Sequence, residues 1–173
     1  MSNDLKKLIF AILGITILAK FLKHMDKSGA SITDLIKQFE GVSLKAYKDI
    51  AGIWTIGHGL TTYPDGKKVQ PGDTITQEQA DQYFKQTLQR FAQGVENAVK
   101  QPITNNQFAA LVSFAYNVGL GAFQKSTLLK KVNANPNDPE IRNQFMRWIY
   151  AGGKPVRGLV NRRTAEANLY FQS

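Results

Sequence analysis

The sequence contains no cysteine, and its 173 residues include only two histidines, His24 and His58. The lack of cysteine excludes disulfide bonds and thiolate zinc sites, and two imidazoles are too few to indicate a metal centre. The sequence also lacks a glycine-rich phosphate loop, a GxSxG nucleophile elbow and an HExxH zinc motif. We therefore expect no metal and no cofactor.

Acidic residues are also scarce, since 13 Asp and Glu stand against 22 Lys and Arg, for a net charge of +9. Such a balance predicts an anionic partner. The basic residues are scattered, and no arginine-rich tract or nucleic-acid-binding module is present. We expect attraction to an extended anionic surface and no binding of nucleic acid. A hydrophobic content of 43% is enough to build a core.

The first thirty residues contain an apolar run over 5–23, interrupted only by lysines. Its uncharged part, between Lys7 and Lys20, is shorter than the roughly 18–20 residues that a spanning helix needs. A basic start followed by a short apolar run is typical of export signals. Three interpretations stay open: an export or weak anchor signal, a cleaved signal peptide, and a helix packed on the domain.

The rest of the chain is predicted to be mainly helical, of the α+β class. Residues 44–75 are rich in glycine and turn signals and predict a small hairpin-based lobe. Capping residues and apolar spacing predict helices over the following segments: Ser31 to Glu40, Thr76 to about Lys100, Thr104 to Gly119, Ser126 to Val132, Asp138 to about Tyr150, and about Leu159 to Tyr170.

Two carboxylates and a threonine near the first predicted helix are candidates for chemistry. Glu40 ends that helix, where the helix dipole and partial burial disfavour the ionised form, as a general acid requires. Asp49 lies in a turn beside Lys48, which keeps it ionised and able to activate a water. Thr55 lies in a short apolar strand and can hydrogen-bond that water. Each of the three residues, taken alone, more often has a structural role.

The remaining candidates favour structural interpretations. His58 lies between glycines, and we interpret it as a structural, hydrogen-bonding histidine. Trp54, Trp148 and Tyr150 are more often core residues than sugar-stacking platforms, although an exposed ring can stack on a sugar.

Three separated segments resemble the phage-type lysozymes, the endolysins of glycoside hydrolase family 24. The first holds Glu40, Asp49 and Thr55, followed by Ile56-Gly-His-Gly59. The second is Gln107-Phe-Ala-Ala-Leu-Val-Ser-Phe-Ala-Tyr-Asn-Val-Gly119, and the third is Gly158-Leu-Val-Asn-Arg-Arg-Thr-Ala-Glu166. The resemblance covers about residues 31–170, in the order that the family has.

The resemblance implies a lysozyme-like fold, with a small β-hairpin lobe and a larger helical lobe joined by a long helix. Peptidoglycan would bind in the cleft between the lobes. Hydrolysis of the β-1,4 bond between N-acetylmuramic acid and N-acetylglucosamine would cause host cell lysis.

The resemblance also assigns roles to individual residues. Glu40 would be the general acid, and Asp49 with Thr55 would hold the attacking water. The inverting outcome implies carboxyl groups roughly 6.5–9.5 Å apart. Asn117 falls at a substrate-contacting position and Arg162 near the catalytic glutamate, so both are candidate substrate-binding residues.

The resemblance also bears on the two ends of the chain. Residues 1–28 resemble a signal-arrest-release segment, which takes the enzyme to the host inner membrane and then releases it into the periplasm. Regulation by cysteine exchange is excluded. Residues 29–169 would form the catalytic domain, as a monomer, and residues 170–173 resemble the remnant of a cleavable tag.

Two other functions remain possible from the sequence. A lytic transglycosylase uses a catalytic acid without water, and the presence of both Asp49 and Thr55 counts against it. A non-catalytic module that binds the cell wall or the membrane would need only the positive charge.

Overall fold

The fold was obtained as a computed structural model, which describes residues 32–49 and 52–172. The predicted export segment, residues 1–28, lies outside the described residues, as does Ser31, the predicted cap of the first helix. Within the described part, no helix is long and apolar enough to cross a membrane.

The described elements follow one another from a short helix through a hairpin into a series of helices. The helices are α1 (Ile32–Glu40), α2 (Gln77–Ala98), α3 (Asn105–Val118), α4 (Leu120–Lys125), α5 (Thr127–Ala134), α6 (Glu140–Met146) and α7 (Arg157–Tyr170). The strands are β1 (Ser43–Lys48), β2 (Trp54–Gly57), β3 (Tyr150–Ala151) and β4 (Lys154–Pro155).

The small lobe is built on the antiparallel pairing of β1 with β2, in which Tyr47 lies opposite Thr55. One of the turns in this lobe is Tyr63-Pro-Asp-Gly66, in which the Gly66 amide donates to the Tyr63 carbonyl at 2.9 Å. The hairpin-based lobe predicted over residues 44–75 is confirmed.

The long helix α2 leads from the small lobe into the helical lobe. Thr76 accepts from the Gln79 amide, and the Gln79 side chain accepts from the Thr76 amide, so the predicted capping box is confirmed. The same reciprocal pair, Thr104 with Gln107, begins α3. Such boxes satisfy amides that have no partner within the helix, which fixes where each helix begins.

The core of the helical lobe surrounds α3. Every residue from Gln107 to Ala115 is buried, because helices α1, α2, α4 and α7 pack around it. A helix that is buried all round must be apolar on nearly every face, and this one is. The mainly helical α+β class is confirmed, with a small hairpin-based lobe that the long helix α2 joins to a helical lobe.

The prediction of a helix from Asp138 to about Tyr150 is wrong in its second half. Helix α6 ends at Met146, and β3 then pairs with β4 through a two-residue turn. Gly152 and Gly153 both have positive φ, 57° and 77°. Two consecutive glycines with positive φ form a tight hairpin turn, so these glycines bring two short strands together.

The last described residues belong to the folded core. Tyr170 is buried, and its hydroxyl donates to the Pro136 carbonyl at 2.9 Å. Phe171 packs edge-to-face against the Tyr170 ring at 5.1 Å. The interpretation of residues 170–173 as a tag remnant stays a prediction, although Tyr170 and Phe171 contribute to packing.

Candidate active site

Glu40 lies where the small lobe meets the helical lobe. It is the last residue of α1, which ends there because Gly41 turns the chain with φ of 62°. Its side chain keeps 18% of its surface exposed, and Oε1 accepts from Arg162 Nη1 at 2.5 Å. A Cβ at Gly59 would lie 3.1 Å from Oε2, so the small lobe closes over the other oxygen.

Arg162 is held on several sides before it reaches Glu40. Its Nε donates to Glu166 at 3.1 Å and its Nη2 donates to the Ser113 carbonyl at 3.2 Å. The guanidinium also lies 5.4 Å from the centre of the Phe39 ring. With only 4% of its side chain exposed, the planar group has little freedom to turn.

Glu166 is the buried centre of this network. Its Oε1 accepts from the Ser113 hydroxyl at 2.7 Å, and its Oε2 accepts from Arg163 Nη1 at 2.5 Å. Arg163 in turn donates to Asn117 Oδ1. Burial raises the pKa of Glu166, and the guanidinium groups of Arg163 and Arg162 oppose that shift.

Burial has the opposite effect on the neighbouring cation. It lowers the pKa of Arg163 to about 10, although the Glu166 carboxylate opposes the shift. Nε of Arg163 has no hydrogen-bond partner among the described residues. The guanidinium lies 4.8 Å from the centre of the Phe114 ring. This cation–π contact offsets part of the cost of burying the charge.

Asp49 closes the turn between β1 and β2. Its Oδ1 accepts from the Ile53 amide at 2.8 Å, and its own amide donates to the Ile53 carbonyl at 3.0 Å. The turn-capping role that is usual for an isolated aspartate is therefore present. Any role in activating water would be additional to it.

Thr55 is buried on β2, with 3% of its surface exposed. Its hydroxyl donates to the Ile53 carbonyl at 3.0 Å. The main chain of Ile53 therefore contacts both Asp49 and Thr55, which brings the two predicted water-binding residues to the same residue directly before β2.

Tyr47 is a neighbour of both carboxylates that the sequence did not reveal. Its side chain is 40% exposed, and it pairs with Thr55 across the hairpin. Burial raises the pKa of Tyr47, and the charges of Glu40 and Asp49 raise it further. The phenol thus lies within the electrostatic reach of both groups. The signal in the sequence that could have indicated this was the position of an aromatic residue, Tyr47, between Glu40 and Asp49.

The interpretation of His58 as a hydrogen-bonding histidine is wrong for its ring. Neither ring nitrogen has a hydrogen-bond partner in the described part of the chain, and Nε2 lies 3.7 Å from Asp81 Oδ1. The ring packs on Phe84, with centroids 4.8 Å apart. The main-chain carbonyl of His58 makes the hydrogen bond instead, accepting from Tyr116 at 2.7 Å.

The structure brings Glu40 and Arg162 into contact and connects both to Asn117 through Glu166 and Arg163. Asn117 and Arg162 both have protein partners, and their contact with a substrate stays a prediction. Within residues 32–49 and 52–172, no cluster of three or more histidines and carboxylates is placed to hold a metal.

The family model described as phage lysozyme matches residues 37–166. The endolysin of Bacillus phage B103 is 44% identical over 149 residues, which are 85% of this chain and 54% of that protein. The SAR-endolysin of Enterobacteria phage P21 is 39% identical over 130 residues, 75% of this chain and 76% of that protein.

Coverage of the relatives varies. The chain spans about half the length of the Bacillus phage endolysins that it matches, 54% and 52%. It covers 92% of the endolysin of Acyrthosiphon pisum secondary endosymbiont phage 1, with 40% identity over 140 residues.

Solved structures agree with these matches and confirm the predicted lysozyme-like fold. The endolysin from Escherichia coli O157:H7 phage FAHEc1 superposes with a TM-score of 0.72 and 44% identity, over 82% of this chain and 90% of that one. A mutant of P22 lysozyme gives a TM-score of 0.67 and 38% identity, over 82% and 94%. The chain belongs to the phage lysozyme family, a family of glycoside hydrolases.

Proposed function

We propose that this protein is an endolysin-type muramidase. It hydrolyses the β-1,4 bond between N-acetylmuramic acid and N-acetylglucosamine in bacterial peptidoglycan and thereby causes host cell lysis. The observation that carries the proposal is the position of Glu40, a partly exposed carboxyl group between the two lobes whose Oε1 is held by Arg162. Membership of the phage lysozyme family supports the same activity.

Glu40 is the general acid in this proposal. Because Oε1 accepts from Arg162, the proton that reaches the glycosidic oxygen is carried on Oε2. The carboxyl group lies at the C-terminus of α1, with 18% of its side chain exposed and the Arg162 guanidinium against Oε1. The hydrogen bond gives the carboxyl group one orientation, which a proton transfer of defined geometry requires.

Asp49 and Thr55 position and activate the attacking water. The Ile53 main chain holds Asp49 as an acceptor and Thr55 as a donor, so one residue fixes the positions of both side chains. In the inverting mechanism, Asp49 takes a proton from the water that attacks the opposite face of the sugar. That mechanism requires carboxyl groups about 6.5–9.5 Å apart. Asn117 is proposed to contact the sugar or its substituents, and Arg162 to border the same subsite.

Product analysis tests the proposal against transglycosylation. Purified peptidoglycan is digested in water enriched in ¹⁸O, and the muropeptides are analysed by mass spectrometry. Hydrolysis leaves reducing-end muramic acid that carries the label. Unlabelled 1,6-anhydro-muramic products would overturn the hydrolase assignment.

We also propose that residues 1–28 take the enzyme to the inner membrane of the host and that it then acts in the periplasm. The support is the short apolar run between lysines, together with relatives described as SAR-endolysins at 39–40% identity. A fusion of residues 1–28 to a reporter that is active only in the periplasm tests this. Introducing Asp at Ile12 should abolish export, and a reporter that stays inactive with the natural segment would contradict the proposal.

A further inference from the structure

Glu166 is the most completely buried carboxylate of the described part of the chain, and the proposed chemistry does not use it directly. It has no exposed side-chain surface, and it accepts hydrogen bonds from Ser113, Arg162 and Arg163. Burying a charge is costly, and a buried ion network is often no more stabilising than apolar residues of the same volume. The network therefore calls for a functional explanation.

The contacts of Arg162 show what Glu166 fixes. Glu166 accepts a hydrogen bond from Nε, and the Ser113 carbonyl accepts one from Nη2. Because the guanidinium is planar and rigid, these two bonds direct Nη1 toward Glu40. The second arm runs from Glu166 through Arg163 to Asn117. One buried carboxylate thus orients two cationic arms, which end at the proposed acid and at a proposed substrate-contacting residue.

We propose that Glu166 is a positioning residue for the reaction. Through Arg162 it sets the orientation of the Glu40 carboxyl group, and through Arg163 it sets the orientation of the Asn117 amide. This inference rests on the proposed function, in which Glu40 is the general acid. Glu166 itself does not contact the substrate.

The charge of Glu166 has a second consequence. The titratable and charged groups that face Glu40 are Tyr47 from β1, Tyr116 from α3, and Arg162 and Arg163 from α7. The negative charge of Glu166 offsets the two guanidinium groups. Without it, the two guanidinium groups beside Glu40 are left with less compensation. The pH profile of the reaction is therefore expected to change when that charge is removed.

The test compares full-length wild type with Glu166→Gln and Glu166→Asp. Initial rates are measured on soluble, uncross-linked glycan strands across the pH range, with the thermal midpoint of each variant. We expect Glu166→Gln to lower kcat by about 10–100-fold with little change in KM, as for other displaced catalytic groups. Its pH profile should also change. Glu166→Asp keeps the charge but shortens the side chain, so kcat should fall while the pH profile stays that of wild type.

Asp138→Asn is the matched control, because it breaks the Lys131–Asp138 ion pair, which is remote from Glu40. It should keep the wild-type kcat and pH profile even if its thermal midpoint falls. Should Glu166→Gln fail to fold, Glu166→Asp carries the test through kcat, with Ser113→Ala as a milder removal of one donor to the same carboxylate.

The outcomes are distinguishable. An active wild type with folded Glu166 variants that keep its kcat and pH profile would overturn the positioning role alone. A wild-type chain that does not cleave glycan strands overturns the proposed function and this inference with it.

Discussion

Arg162 Nη1 lies 2.5 Å from Glu40 Oε1, although 122 positions separate the two residues in the chain. The contact joins the start of the described fold to its last helix, and α3 supplies the carbonyl that holds the guanidinium in place. The geometry of the proposed acid is therefore set by the packing of α1, α3 and α7, and not by the short segment that contains Glu40.

The first prediction concerns the planar guanidinium of Arg162, which donates in three directions. Arg162→Lys keeps the positive charge but cannot contact Glu40, Glu166 and the Ser113 carbonyl together, because an ammonium lacks the planar donor geometry. We expect kcat to fall by about 10–100-fold. Arg142→Lys is the control, because the Arg142 guanidinium donates to the exposed side chain of Asn168, outside the proposed site. Equal activity of the two variants would contradict the account.

Gly59 gives a second prediction with a closely matched control. Gly59→Ala places a Cβ about 3.1 Å from Glu40 Oε2, at a φ of 86°. Gly66→Ala meets the same backbone strain, with φ of 89°, but its Cβ has nothing within 4 Å. Both variants should lose about 1–2 kcal/mol of unfolding free energy in chemical denaturation. Only Gly59→Ala should also lose most of its activity on peptidoglycan. Similar activity of the two variants would show that the space beside Glu40 Oε2 is not needed for catalysis.

Tyr47 gives a third prediction, on substrate binding. Its exposed ring lies near both proposed catalytic carboxylates, where it can stack on a sugar. Tyr47→Ala should raise KM for soluble glycan strands by about 10-fold, equivalent to about 1.4 kcal/mol. Tyr47→Phe, which keeps the ring, should stay close to wild type. An unchanged KM for Tyr47→Ala would contradict this prediction.

Acid should weaken the contact between α1 and α2. The Lys37 ammonium, with Gln77, lowers the pKa of Asp81 by hydrogen bonding to its carboxylate. A lowered folded-state pKa means that this stabilisation is fully present above the unfolded value, about 3.9, and is lost as pH falls through the folded one. Asp81→Asn should make the denaturation midpoint depend less on pH below about 4. A pH dependence identical to that of wild type would contradict this.

Much of the fold could be predicted from the sequence, because its signals are local. The capping pairs Thr76–Gln79 and Thr104–Gln107 mark where α2 and α3 begin, and the structure has both. The sequence predicts that α6 continues to about Tyr150, beyond its observed end at Met146, because Trp148 continues the apolar spacing of a helix. The pairing of Tyr150 with Pro155 instead depends on a turn that brings two strands together.

The site was predictable in part. The resemblance indicated that an arginine would lie near Glu40, and the structure places Arg162 there. It gave no indication of Glu166, because Arg162-Arg163-x-x-Glu166 reads as ordinary charge pairing on the surface of a helix. Only the packing of α7 against α3 shows that all three side chains are buried. Likewise, a histidine between glycines gives no sign that its ring will pack on Phe84.

The most direct test of the central claim compares wild type with Glu40→Gln by mass analysis of muropeptides released from purified peptidoglycan. Glu140→Gln, which changes an exposed glutamate on α6 by the same chemistry, is the control. The account predicts that wild type and Glu140→Gln release products ending in reducing muramic acid, and that Glu40→Gln releases at least about 100-fold less. Release by Glu40→Gln at the wild-type rate would show that Glu40 is not the acid. If Glu40→Gln also cleared cell-wall suspensions as fast as wild type, the positive charge alone would account for the activity.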